Sequence, residues 1–216
     1  MRLVSVQVGT PRTVGTPRAE NPLERAFTSA IWKSPVTGPA FAGALGLAGD
    51  AVANTKVHGG VDQALLMYPV AHYSLWQSEL GRPMSPGAFG ENLTVDGLDE
   101  DSACIGDVLA IGTVRLEVSQ PRQPCSTLAR RHQLRNMIAI VRGNGRSGWY
   151  LRVLTEGTLE AGQPIEVADR PNPAWPVRRA AAVMHARGRE PAAAADLARC
   201  RGLSEGWRSR LAHLSS

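Results

Sequence analysis

Apolar and polar residues alternate with a period of two through much of the first 169 residues, and the period becomes helical beyond them. Val4, Val6 and Val8 alternate with Ser5 and Gln7, the pattern of a half-buried strand. Residues 108–111 and 114–118 flank Gly112-Thr113, the two-residue spacing of a tight hairpin. Residues 93–95, 151–154 and 165–167 read as further short strands. Pro69 to Leu80 is the clearest helix in this part, with Tyr73, Trp76 and Leu80 spaced for one buried face. A second helix is expected from Ser126 or Thr127 to about His132. Short strands broken by frequent glycine and proline turns predict a mainly β fold, a barrel or sandwich, and not alternating βαβ units.

The pattern changes at Arg170-Pro171-Asn172-Pro173-Ala174-Trp175-Pro176, where three prolines interrupt helix and ladder alike. This divides the chain into a β domain over 1–169, a linker over 170–175 and a three-helix unit over 176–216. Pro176 opens a helix that Gly188 closes, and Pro191 opens one that Gly202 closes. Ser204 caps a third, with Trp207, Leu211 and Leu214 on one stripe. Three short helices bury little alone, so they are expected to dock on the barrel or on a second subunit.

Charge follows the same division. The formal net charge is +5, of which residues 170–216 carry +6 and residues 1–169 carry −1. The basicity is almost all arginine, with Lys33 and Lys56 the two lysines. No interleaved aromatic pattern accompanies the tail arginines, so nucleic acid is not expected as a partner. No apolar run reaches bilayer length, and the N-terminus lacks the apolar core of a signal peptide. A cytoplasmic protein is expected. Three cysteines, odd in number and without a Cys-x-x-Cys, argue against a disulfide framework or a cysteine-rich zinc site.

Three segments could carry chemistry. Cys125 follows Ser119-Gln120-Pro121-Arg122-Gln123-Pro124 in a loop stiffened by two prolines and opens a helix, with Arg122, Arg130 and Arg131 nearby. A thiol there is more readily deprotonated, and a thiolate attacks electrophiles and binds soft metals. A lone cysteine is by default a small buried hydrophobe, the reading that suits Cys104 and Cys200. For Cys125 the residues leave both readings open. Lys56-Val57-His58-Gly59-Gly60 pairs two glycines with cationic donors, which suits an anion such as phosphate and equally an ordinary turn. Glu91 and Asn92, between a glycine turn and a strand, could deliver protons or orient a ligand at a barrel mouth.

In order along the chain, Gly46-Leu47-Ala48-Gly49-Asp50, Lys56-Val57-His58-Gly59-Gly60, Tyr68-Pro69 with His72-Tyr73, Gly90-Glu91-Asn92-Leu93, Gly106-Asp107, Ser119-Gln120-Pro121-Arg122 with Pro124-Cys125, and Gly148-Trp149 resemble the MOSC family, in its stand-alone YiiM type. Val52 stands where such proteins commonly carry glutamine. The resemblance implies a MOSC-type β-barrel with a few helices, followed by a three-helix appendage. It implies a molybdenum cofactor and the reduction of N-hydroxylated compounds such as 6-hydroxylaminopurine. Cys125 would then be the molybdenum ligand, with Glu91 and His58 also catalytic. Lys33, Lys56, His58, Gly59, Gly60, Asn92, Arg122 and Cys125 would hold the cofactor. The alternative is a sulfur carrier using a Cys125 persulfide. No flavin or nicotinamide fingerprint is present, so electrons are expected from a separate protein, a flavoprotein reductase. A homodimer stays open as the assembly.

Overall fold

The computed structural model describes residues 1–55, 58–186 and 188–214. Its strands are β1 (Arg2–Val8), β2 (Arg12–Val14), β3 (Phe27–Ser29), β4 (Ser34–Pro35), β5 (Ala40–Gly43), β6 (Gly46–Leu47), β7 (Leu65–Pro69), β8 (Leu93–Asp96), β9 (Val108–Ile111), β10 (Val114–Pro121), β11 (Trp149–Thr155), β12 (Gly157–Leu159) and β13 (Glu166–Asp169). The helices are α1 (Ala71–Leu80), α2 (Ser126–His132), α3 (Met137–Asn144), α4 (Val177–His185), α5 (Pro191–Ala198) and α6 (Glu205–Leu214). None is long and apolar enough to cross a membrane.

Eight strands form one mixed sheet in the order β13-β9-β10-β11-β7-β8-β1-β4. Neighbours are antiparallel except β7 and β8, which α1 joins as a crossover. The sheet curls into a half-barrel. Its far ends are drawn together where the Leu3 amide donates to Gln163 O (2.9 Å), the Gly162 amide to Leu3 O (2.7 Å) and the Ile165 amide to Met1 O (3.0 Å). The expected hairpin forms, with Ile111 paired to Val114 across Gly112-Thr113. In β1 the simple alternation fails: a bulge between Leu3 and Ser5 switches faces, so Leu3 and Val6 are buried while Val4 and Val8 are only partly so.

Strand β7 is buried on both faces, as a central strand should be. Leu65 and Met67 join Leu3, Leu93, Leu109, Leu116 and Leu151 inside the barrel. Tyr68 turns to the other side, where Tyr73 and Trp76 of α1, Phe89, Leu128 of α2, and Met137 and Val141 of α3 form a second apolar cluster. That outer cluster supports the loops around Cys125.

The tail docks on its own barrel. Trp175, Val177, Leu197, Leu203, Trp207 and Leu211 belong to the same continuous core as the strands. Gly202 sits at φ +83° against Gly106, where a Cβ would lie 2.7 Å from the Gly106 Cα. The Ser204 amide donates to Ser119 O (2.9 Å), and Ser204 Oγ accepts from the Trp207 amide (3.3 Å) as the expected cap. Arg170, Arg178 and Arg201 pair with Asp107, Asp101 and Asp169 of the β domain, so part of the tail's charge is neutralised inside the molecule.

Candidate active site

Past the end of β10, the chain turns beneath the Gly148 loop, where the Arg122 amide donates to Gly148 O (3.0 Å). Arg122 is buried; its Nη2 donates to Phe89 O (3.3 Å), while its Nη1 has no partner among the described residues. Three residues on, Cys125 is extended (φ −121°, ψ 172°) and caps α2. Both line a cavity of about 290 Å³ together with Lys33, Asp50, His58 and Asn92. Its volume lies at the small end of the range for small-molecule sites.

The thiol is set up as a thiolate. Burial pushes Cys125 up, but a hydrogen bond with His58, the Arg122 guanidinium, the Leu128 N–H and the Thr127 hydroxyl outweigh it and hold the pKa down to about 6. The other cysteines move the opposite way. Burial raises Cys104, with Asp107 beside it, and pushes Cys200 up to about 11.

His58 reaches Cys125 because its loop is fixed from several sides. Gly59, at φ +81°, passes so close to Val52 that a Cβ would meet the valine at 3.2 Å. Downstream, the Asp62 carboxylate accepts from Arg152 Nε (2.9 Å) and the Glu205 amide of α6 (3.3 Å), and Asp62 O accepts from Ser119 Oγ (2.5 Å). The loop is thereby tied to β10, β11 and the tail.

Lys33 is half of an ion pair with Asp50. Burial pulls its pKa down and the Asp50 carboxylate restores part of it. Asp50 also accepts from the Gly9 amide (2.7 Å) and Asn92 Nδ2 (2.7 Å), while Asn92 Oδ1 accepts from the Leu66 amide (3.1 Å). Asn92 thus braces the Lys33–Asp50 pair against β7. Asp50 was not among the expected site residues, although it ends a stretch matching the family. Phe27 and Tyr150 also line the cavity and were not among the expected site residues, and Arg130, expected only as a cation near Cys125, lines it too.

Glu91 has another place. Its carboxylate is fully buried and accepts from the Tyr73 hydroxyl, the Gly87 amide (2.6 Å), the Phe89 amide (3.0 Å) and Thr94 Oγ1 (3.0 Å). It does not line the cavity; it fixes the turn that carries Phe89 and Gly90, which do. Gly59 lines the cavity and Gly60 does not. Lys56 lies outside the described residues. Among those residues, no group of three His, Cys, Asp or Glu could hold a metal ion. A soft metal here would bring ligands of its own and take one from Cys125.

The family model described as MOSC domain matches residues 54–166, and the model described as YiiM-like, 3-alpha helix domain matches residues 175–212. Uncharacterized protein YflK of Bacillus subtilis (strain 168) is 40% identical over 161 residues, 74% of this chain and 73% of that protein. A protein named Reductase from Gibberella moniliformis is 39% identical over 167 residues, 74% of this chain but 29% of that protein. The crystal structure of YiiM from Geobacillus stearothermophilus superposes with a TM-score of 0.83 at 35% identity, covering 100% of this chain and 99% of that one.

Proposed function

Because the chain belongs to the MOSC family, in its YiiM-type form, we propose that it is a cytoplasmic oxidoreductase that holds the molybdenum cofactor beside Cys125 and reduces N-hydroxylated compounds such as 6-hydroxylaminopurine. The observation that carries this reading is the pairing, on one cavity wall, of a thiol held near pKa 6 with a buried guanidinium whose Nη1 has no partner among the described residues. A soft metal calls for the first, and a phosphate or another anion for the second. The cofactor, when bound, supplies two-electron chemistry at a soft metal able to accept oxygen from nitrogen.

The chain's own residues do the rest. Cys125 offers a deprotonated sulfur at a fixed position, and His58 holds that sulfur by its hydrogen bond. Arg122 offers its Nη1, which has no partner among the described residues, to the anionic part of the cofactor, and Lys33, paired with Asp50, lines the same cavity. Breaking one N–O bond consumes two electrons and two protons and yields an amine and water. We assign the electrons to a separate flavoprotein reductase. The kinship with a protein named Reductase supports the redox class.

A thiolate of this kind also suits a persulfide carrier, the second reading. One experiment tests both: protein from a host able to make the molybdenum cofactor is given 6-hydroxylaminopurine and a chemical reductant. Adenine formation that disappears in Cys125→Ser supports the reductase. Sulfane sulfur on Cys125 with no adenine formed supports the carrier.

A further inference from the structure

Four planar groups adjoin one another, and two of them, Phe27 and Arg130, line the cavity, while Trp32 is tilted 39° against Phe27. The Arg130 guanidinium lies 4.5 Å from the Phe27 ring centroid, Phe27 lies 5.6 Å from Trp32, and the Arg12 guanidinium lies 4.6 Å from the Trp32 centroid. Phe27 and Arg130 both line the cavity that holds Cys125. Arg130 cannot rotate freely, because its Nε and Nη2 both donate to Pro22 O (3.3 Å each). Those bonds and the phenyl ring fix the guanidinium as a plane.

The segment that carries the hairpin β2–β3 is attached elsewhere as well as through the stack. Gln133 Nε2 donates to Leu23 O (3.0 Å), Arg131 donates to Ile31 O, and Thr13 and Thr28 share a hydroxyl hydrogen bond (2.7 Å). Position matters as well. Thr127, which hydrogen bonds the Cys125 sulfur, and Arg130 are three residues apart on one face of α2, about 4.5 Å along its axis. Arg130 follows Cys125 by five residues, about 7.5 Å of backbone rise along α2. Thr28 and Gln63 line the same cavity with groups that can pair with ring nitrogens.

We propose that the Arg130–Phe27 stack is the platform on which the substrate's planar heteroaromatic ring is held, and that it makes the site selective for ring-bearing over acyclic N-hydroxyl compounds. This rests on the reductase reading for the word substrate, but not for the platform itself. Stacking of a base on such groups changes affinity by roughly five- to hundredfold, so the effect is measurable.

The test uses the full chain, first with adenine, which has no N–O bond to reduce, followed through tryptophan fluorescence. Trp32 is partly exposed, whereas Trp76, Trp149, Trp175 and Trp207 are buried, so quenching reports on the platform. Adenine binding is expected to weaken at least about fivefold in both Phe27→Ala and Arg130→Lys. The lysine keeps the charge and loses the plane, so its rescue of binding would overturn a stacking role. In the loaded enzyme, KM for 6-hydroxylaminopurine should rise at least about fivefold more than KM for hydroxyurea in both variants. Equal losses for the two substrates, or no loss for either, would overturn the proposal. Adenine binding at the stack by a protein that reduces neither compound would refute the reductase reading and leave the platform standing.

Discussion

Replacing His58 by alanine isolates the contact that does most to lower the Cys125 pKa. Among the groups that oppose burial at this sulfur, the His58 hydrogen bond ranks first. A hydrogen bond to a charged group contributes about 1.5–3 kcal/mol, and one pKa unit corresponds to about 1.4 kcal/mol. The variant should therefore titrate between about 7 and 8, where the native thiol titrates at about 6. The sign follows from the thiolate being the form present above the pKa. At pH 7 its share should fall from about nine-tenths to between about a half and a tenth. Absorbance at 240 nm and the pH dependence of iodoacetamide alkylation, on protein purified without cofactor, measure this directly. The other two thiols do not interfere: both are buried and pushed upward, Cys200 to about 11. A native thiol titrating in the ordinary range, or a His58→Ala protein still titrating at about 6, would refute the electrostatic account of the site.

Glu91→Ala should destabilise the protein by at least about 3 kcal/mol in urea unfolding, because several buried donors at about 1–3 kcal/mol each lose their acceptor; a folded, equally stable variant that loses only activity would return Glu91 to the chemistry. Trp207→Ala should cost about 3–5 kcal/mol and leave a single transition, since tail and barrel share one core; two separate transitions would contradict that. Burial and the neighbouring Arg131 hold His132 down to about 4, with its Nε2 on Ala88 O (3.0 Å) and its Nδ1 on Arg82. The unfolded chain binds this proton first, so stability should fall as pH drops from about 6.5 to 4, by at most about 3 kcal/mol from this group. Chemical unfolding of His132→Gln across that window should show a shallower slope, and an unchanged slope would assign the loss to other groups.

Elements with a local cause were legible in the sequence. The hairpin at Gly112-Thr113 follows from turn chemistry, and the starts of two tail helices follow from Pro191 and Ser204. The helix from Pro191, however, ends at Ala198 with Arg199 as its cap, before Gly202, which instead packs against Gly106. Strand β1 was legible as a strand but not in its faces, because a bulge carries no signature in the alternation of Val4, Val6 and Val8. Strands β2 to β6 run two to four residues each, too short to show a period. Helix α3 carries Ile138, Ile140 and Val141 near its start and Gly143 near its end, a weak helix by propensity. Burial of Met137 and Val141 beneath the Tyr68 cluster offsets that. At the site, Arg122 and Cys125 were legible because they share one loop. Asp50 and Phe27 join them only through tertiary closure, whereas Arg130 lies on the helix that Cys125 opens. The buried placement of Glu91 was not legible, because a motif does not distinguish a carboxylate that faces a cavity from one whose oxygens are taken by the turn around it.

Molybdenum analysis of the purified chain, from a host able to make the cofactor, tests the central claim most directly. The wild-type protein should retain about one molybdenum atom per chain at most, with partial loading on overexpression, and Cys125→Ser should retain little while keeping its fold, since a hydroxyl is a harder and far less acidic ligand than this thiol. Wild-type protein free of molybdenum, or a Cys125→Ser protein that holds as much as the wild type, would contradict the account.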